Sequence, residues 1–247
     1  MQTIGLEIVV ICTSEVDSQI GLETMATLVL STGPPPALHP GTFHVKQSRF
    51  LHALSPTLVD VSPRLTLGQL RQLEDHWRLV LAWTARTNLT AITDDADAAL
   101  LHYRDSLEAL AVLPPGPIVD LGSGAGYPGL PIAIAEPARS VTLVEPRAKR
   151  VSFLKVAVAR LGLANVRVRQ ASSTDTPDQA YAAAVTRATF SDSADLLACQ
   201  RWLAFGGLLV AFRSAASGDR DAELHSYAIA GQPRLLELWR RVLRGAR

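Results

Sequence analysis

Cysteine is nearly absent. The 247 residues hold two, Cys12 and Cys199, with neither the number nor the spacing of a disulfide framework or a zinc site, so a reducing compartment and no metal are expected. No apolar run reaches the roughly 18 residues of a membrane-spanning helix, so no membrane association is expected. Lys and Arg are missing before Lys46, so no basic segment precedes the apolar stretch 8–11 as a secretory signal requires, and a cytoplasmic protein is expected. What is present is ample apolar material: 48% hydrophobic against 19% charged residues excludes a chain disordered throughout. The length suits one domain with an appendage.

Charge is balanced overall at +1 but unevenly spread. Residues 1–60 carry two basic and five acidic groups (−3), and residues 61–247 carry 22 and 18 (+4). Within 139–169 eight basic residues face one acid, Glu145, a local +7. That is the footprint expected for a polyanion, although a solvated helix face produces the same pattern. Residues 1–60 also hold Pro34-Pro35-Pro36, Pro40 and Pro56 and sustain no period over their second half. A loosely structured N-terminal extension over 1–60 and one folded domain over 61–247 are therefore expected.

Order begins near Leu65. Thr66-Leu67-Gly68-Gln69 has capping-box spacing, and Leu67, Leu70, Leu73, Trp77, Val80 and Leu81 recur at three and four, which predicts an amphipathic helix. Asp94 or Asp95 can cap a second helix that carries Leu100, Leu101, Leu107 and Leu110. Both N-terminal helices fall within 65–113. Strands and helices then alternate: Ile118–Leu121, Gly129–Ala135, Val141–Glu145, 149–161 and 166–168 read as βαβαβ. The fold class is therefore α/β with a parallel sheet. A strand over 183–186, a helix over 194–203, a turn at Gly206-Gly207 and a strand over 208–212 follow, with a last strand pair around 227–229 and 235–242.

The segment Ile118-Val119-Asp120-Leu121-Gly122-Ser123-Gly124-Ala125-Gly126-Tyr127-Pro128-Gly129 runs from strand through a glycine-rich turn into a helix. Gly124, Gly126 and Gly129 satisfy G-x-G-x-x-G, and Glu145 ends the next strand, so a dinucleotide site is one reading. A dinucleotide brings its diphosphate to the helix N-terminus, where Asp120 just before the turn opposes it. S-adenosylmethionine instead brings a sulfonium and an ammonium, which suit Asp120. Glu145 can accept from ribose hydroxyls in either case. Charge favours the methyl donor, while a third reading, in which Asp120 caps the turn and Glu145 is a solvated strand end, stays open.

The stretch 120–131, followed by Thr142-Leu143-Val144-Glu145 and Lys149-Arg150-Val151-Ser152-Phe153-Leu154, resembles the bacterial 16S rRNA guanine-N7 methyltransferases, the RsmG or GidB family. Trp83, Asn88-Leu89-Thr90 and His102-Tyr103-Arg104-Asp105-Ser106-Leu107 upstream match the same family, as does Val185-Thr186-Arg187-Ala188 downstream. The resemblance covers roughly residues 65–242. It implies a Rossmann-like class I methyltransferase fold with a mostly parallel seven-stranded sheet, S-adenosylmethionine as methyl donor, and 16S rRNA or the 30S subunit as partner. Carried over by position, donor contacts fall on Gly122, Tyr127, Ser172, Ser173 and Arg187, beside Asp120, Gly124 and Glu145 of the turn reading. The chain departs from the family pattern at Ala171-Ser172-Ser173, at Thr84, and at Arg213-Ser214.

Guanine N7 has a lone pair and no hydrogen, so methylation there needs positioning rather than a general base, and no catalytic residue is assigned. Arg147, Lys149, Arg150 and Lys155 at the start of the helix after Glu145, with Arg213, are the expected RNA contacts. His102, Asp105 and Ser106 are expected to dock the N-terminal helices over the donor pocket, and His39, His44, His52, His76 and His225 receive no role. A monomer is expected. Three readings compete: an NAD-dependent oxidoreductase, a methyltransferase of another acceptor, and a catalytically weakened RNA-binding or assembly module.

Overall fold

Two short apolar runs, EIVVIC and ATLVLS, form β1 (Glu7–Cys12) and β2 (Ala26–Ser31), paired antiparallel from Glu7↔Ser31 to Cys12↔Ala26. They belong to the first of two units, Met1–Lys46 and Gln47–Arg247, in the computed structural model, which describes residues 7–12, 26–31, 48–187 and 193–242. Neither strand is expected from the sequence, because six residues are too few to show a period. The second unit also starts earlier than residue 61. It includes α1 (Arg49–Leu54), capped by Ser48, whose Oγ accepts the Leu51 N–H at 3.2 Å. Phe50 and Leu54 of this helix are fully buried in the main core. Ser55-Pro56 ends the helical run too soon for a period to show.

The capping box at Thr66 forms as expected and starts α2 (Leu67–Thr87), which ends on left-handed Asn88. Gln69 and Gln72 on this helix donate to Ile134 O (2.7 Å) and Leu161 O (2.9 Å). These carbonyls end two helices of the main fold and would otherwise be unsatisfied. Asp94, rather than Asp95, caps the next helical stretch through the N–H groups of Ala96 and Asp97. It runs as α3 (Asp95–Ala98), a π-helical segment Ala99–Arg104, α4 (Asp105–Leu107) and a 3-10 turn Glu108–Ala111. Asp95 instead accepts from Trp77 Nε1 at 2.9 Å, tying α3 to α2.

The main fold continues through β3 (Ile118–Leu121), α5 (Gly129–Ala135), β4 (Val141–Glu145), α6 (Ala148–Leu161), β5 (Val166–Gln170), β6 (Tyr181–Arg187), α7 (Ser193–Cys199), β7 (Leu203–Arg213), β8 (Glu223–Ile229) and β9 (Gln232–Arg240). Its seven-stranded sheet has the order β5-β4-β3-β6-β7-β9-β8. Neighbours are parallel from β5 to β7, and β9 is antiparallel to both β7 and β8. Every residue of β3 and β4 is buried, as in parallel strands covered on both faces. The strand order reverses between β3 and β6, and ligands of open α/β sheets bind at the carboxyl ends of strands at such a point.

Two boundaries differ from the sequence reading. The helix expected over 194–203 stops at Cys199 and becomes a 3-10 turn, Gln200–Trp202. Gly206-Gly207 is not a turn but an irregularity inside β7, where Tyr181 pairs with Leu203 and Ala183 already with Leu208. Gly206 has φ +79°, and a Cβ on Gly207 would stand 2.9 Å from Ala204 O, so the Gly-Gly pair marks a bulge. The β8–β9 hairpin turns on Ala230 and Gly231, both at positive φ as a tight two-residue loop requires.

Candidate functional site

The glycine turn sits at the carboxyl end of β3 and is pinned to β4: the N–H groups of Gly122 and Ser123 donate to Val144 O at 2.8 and 3.1 Å. Asp120 is fully buried beneath it. Its Oδ2 accepts the Gly129 N–H at 3.0 Å, and Oδ1 has no hydrogen-bond partner among the described residues. Burial pushes its carboxyl up to about 7, against the lowering effect of the Gly129 bond. Glu145, also buried, accepts the Gly124 N–H through Oε2 (3.0 Å) and the Arg147 N–H through Oε1 (2.9 Å). Both carboxylates therefore hold the turn and its surroundings in shape. A Cβ on Gly129 would stand 2.7 Å from Asp120 Oδ2, whereas at Gly124 the nearest atom would be Arg150 Nη1 at 3.7 Å. Gly124 is where the backbone lies open to a ligand.

Behind the turn runs a buried polar chain that the sequence reading missed. Tyr127 Oη donates to Tyr103 Oη (3.1 Å), which donates to His76 Nδ1 (2.9 Å), and His76 Nε2 donates to Ala125 O (2.9 Å). A carbonyl can only accept, so Nε2 carries a proton, and with the ring neutral at pH 7 this is the Nε2–H tautomer. Burial pushes its pKa down to about 4, outweighing the Ala125 bond. His76 thus links α2 to the turn at Ala125 and, through Tyr103, at Tyr127. The available signal was a polar residue beside Leu73, Trp77 and Val80 on the buried stripe of α2.

Arg187, at the end of β6, lies over the Tyr127 ring at 5.0 Å, and His102 stacks on that ring at 4.5 Å. Arg187 also donates to Asp105 Oδ2 (3.2 Å), Leu101 O (3.2 Å) and His102 O (3.3 Å). Asp105 Oδ1 accepts from Tyr227 Oη at 2.8 Å. These contacts join the helical stretch after α3 to β6 and β8. Burial, then the Arg187 charge, holds His102 down to about 3, and its Nε2 is hydrogen-bonded to Thr90 Oγ1 at 2.8 Å. His102 is therefore not poised as an acid or base, and Asp105 is committed to Arg187 and Tyr227.

A cavity of about 740 Å³ opens here, at the switch point. Of the expected donor contacts it is lined by Gly122, Gly124, Tyr127 and Arg187, and of the expected RNA contacts by Arg150 and Arg213. Asp120, Glu145, Ser172 and Ser173 are not among its lining residues. Ser172 and Ser173 are half-buried in the loop after β5, where Trp202 Nε1 holds Ser173 O at 2.7 Å. Arg147, Lys149 and Lys155 are exposed at and along α6. Arg150 instead turns inward and reaches Asn88 O at 3.3 Å, and Arg213 pairs with buried Glu237 at 3.3 Å. Among the described residues no group of three His, Cys, Asp or Glu could hold a metal ion, and no helix is long and apolar enough to cross a membrane.

Residues 69–232 match the family model described as rRNA small subunit methyltransferase G. The chain belongs to this family. A ribosomal RNA small subunit methyltransferase G from Halorhodospira halophila is 36% identical over 171 residues, covering 69% of this chain and 82% of its own length. Its counterpart from Psychrobacter cryohalolentis is 33% identical over 194 residues, covering 74% and 81%. A solved SAM-dependent methyltransferase from Aquifex aeolicus, 16% identical, covers 60% of this chain and 95% of its own with a TM-score of 0.47. The site fits the family's methyl donor on its own geometry. The cavity is large enough for a nucleoside-sized ligand, and Gly124 leaves room at the backbone beside it.

Proposed function

We propose that this chain transfers the methyl group of S-adenosylmethionine to N7 of a guanine in the 16S rRNA of the small ribosomal subunit. The observation that carries the reading is one cavity, at the reversal of strand order, in which the glycine turn, Tyr127 and Arg187 meet. The bound donor supplies an electrophilic methyl on a sulfonium. The protein supplies the rest by holding groups still. Glu145 and Asp120 set the turn, the His76–Tyr103–Tyr127 chain fixes the ring at its edge, and Arg187 braces the helices against β6. N7 carries no proton, so a site with a neutral His102 and an ion-paired Asp105 lacks nothing the reaction requires.

The exposed cations of α6 suit phosphates of a large polyanion, and the acceptor is read as rRNA within the 30S subunit, met by a monomer in the cytoplasm. Charge at the turn argues against a dinucleotide: a diphosphate at Gly124 would face the Glu145 carboxylate that holds this N–H. Calorimetric titration with S-adenosylmethionine and with NADH separates the two. Saturable heat with the donor and none with NADH is expected, and the opposite pattern would overturn the reading.

A further inference from the structure

The cavity extends well past the glycine turn. In sheet order β9 stands three places from β3, about 14 Å at the usual strand spacing of about 4.8 Å. There the wall is made by Phe212, Tyr227 and Arg234. Among the described lining residues Asp105 is one anion beside four guanidinium groups, those of Arg150, Arg187, Arg213 and Arg234. The methyl donor does not call for that charge. Its sulfonium and ammonium outweigh its single carboxylate, so it is itself a cation.

Arg234 is the cation least committed to the fold. Asp105 Oδ1 lies 3.8 Å from its Nε and is already taken by Tyr227 Oη at 2.8 Å, while Oδ2 is taken by Arg187. Arg234 Nε is buried and makes no hydrogen bond among the described residues. The side chain is nevertheless 31% exposed, so a ligand can reach it. Leu235, the next residue, pairs with Arg213 at the carboxyl end of β7, which places Arg234 at the rim of the ligand-binding edge. A guanidinium in such a position matches a phosphate through two parallel hydrogen bonds.

We propose that Arg234 binds a backbone phosphate of the acceptor RNA strand, next to the nucleotide that enters the cavity, so that β9 sets where that strand lies. The inference rests on the rRNA reading above. The test is binding of 30S subunits by the full chain, measured across a salt series, with Arg234→Gln, Arg234→Lys and, as a control on the exposed end of the same strand, Arg240→Gln. Loss of one phosphate contact lowers the slope of log affinity against log salt by about 0.7–0.9, which is roughly five- to eightfold at about 0.1 M salt. Arg234→Gln is expected to show this with donor affinity unchanged by calorimetry, Arg234→Lys to regain most of the slope, and Arg240→Gln to keep it. A merely structural Arg234 would lower thermal stability and leave the slope alone. That result, or an equal loss in Arg240→Gln, or loss of donor affinity in place of subunit affinity, overturns the proposal. Subunits bound with an Arg234-dependent slope but never methylated would sink the methyl-transfer reading and leave the phosphate contact standing.

Discussion

Replacing His76 by Phe keeps an aromatic ring in the core but removes both of its polar contacts. Ala125 O loses its donor, and the Tyr103 hydroxyl loses its acceptor while still receiving the Tyr127 bond. Each buried group left unsatisfied costs about 1–3 kcal/mol, so His76→Phe is expected to lose about 2–6 kcal/mol at pH 7. The loss must shrink in acid. In the folded protein His76 titrates near 4 and in the unfolded chain near 6.5. As pH falls through 6.5 the unfolded chain therefore takes up the proton first, and the wild type loses stability down to pH 4. At about 1.36 kcal/mol per pKa unit this is about 3 kcal/mol, and the Phe variant has no such proton to bind. Urea unfolding followed by tryptophan fluorescence at pH 7 and pH 4.5 reads the difference directly, since Trp77 is buried on the same helix. A stability gap that stays constant with pH would refute the neutral, doubly bonded histidine.

Two further sets of variants probe the turn and the charged surface. Gly129→Ala forces a Cβ against Asp120 and is expected to cost about 1–3 kcal/mol of stability, whereas Gly124→Ala makes only ordinary contacts, the nearest 3.7 Å from Arg150 Nη1, and costs about 1 kcal/mol for its left-handed backbone. Gly124→Ala should instead weaken donor binding in calorimetry, and the reverse pattern would misplace the ligand. Replacing exposed Lys149 and Lys155 together by Ala should leave stability within about 0.5 kcal/mol, while filter binding of 30S subunits becomes weaker and less dependent on salt. Unchanged binding would make α6 a solvated face only.

The strand, turn and helix of the glycine motif were legible because each is written locally: an apolar run ending in Asp120-Leu121, glycines at fixed spacing, and a second apolar run ending in Glu145. The roles of the two carboxylates were less legible. Asp120 and Glu145 read as ligand contacts, but in the fold both are buried, Asp120 Oδ2 accepting from Gly129, Glu145 Oε2 from Gly124 and Glu145 Oε1 from Arg147. The contacts that join distant elements left no local trace. Asp105 and Arg187 lie 82 residues apart in sequence. His76 and Tyr103 meet only because α2 and the stretch after α3 pack on the same core. Arg150 reads as an RNA contact like its neighbours Arg147 and Lys149, yet its position on α6 turns it toward Asn88 and the cavity. Gly206-Gly207 carried a true signal, positive φ and close backbone approach, that fits a bulge as well as a turn.

Transfer of labelled methyl from S-adenosylmethionine to 30S subunits isolated without this modification, with the product nucleoside identified by mass spectrometry, decides whether this chain methylates guanine N7. Label is expected in 16S rRNA as 7-methylguanosine at a single position. Label on another atom or another base, or none in the presence of saturating bound donor, would contradict that expectation.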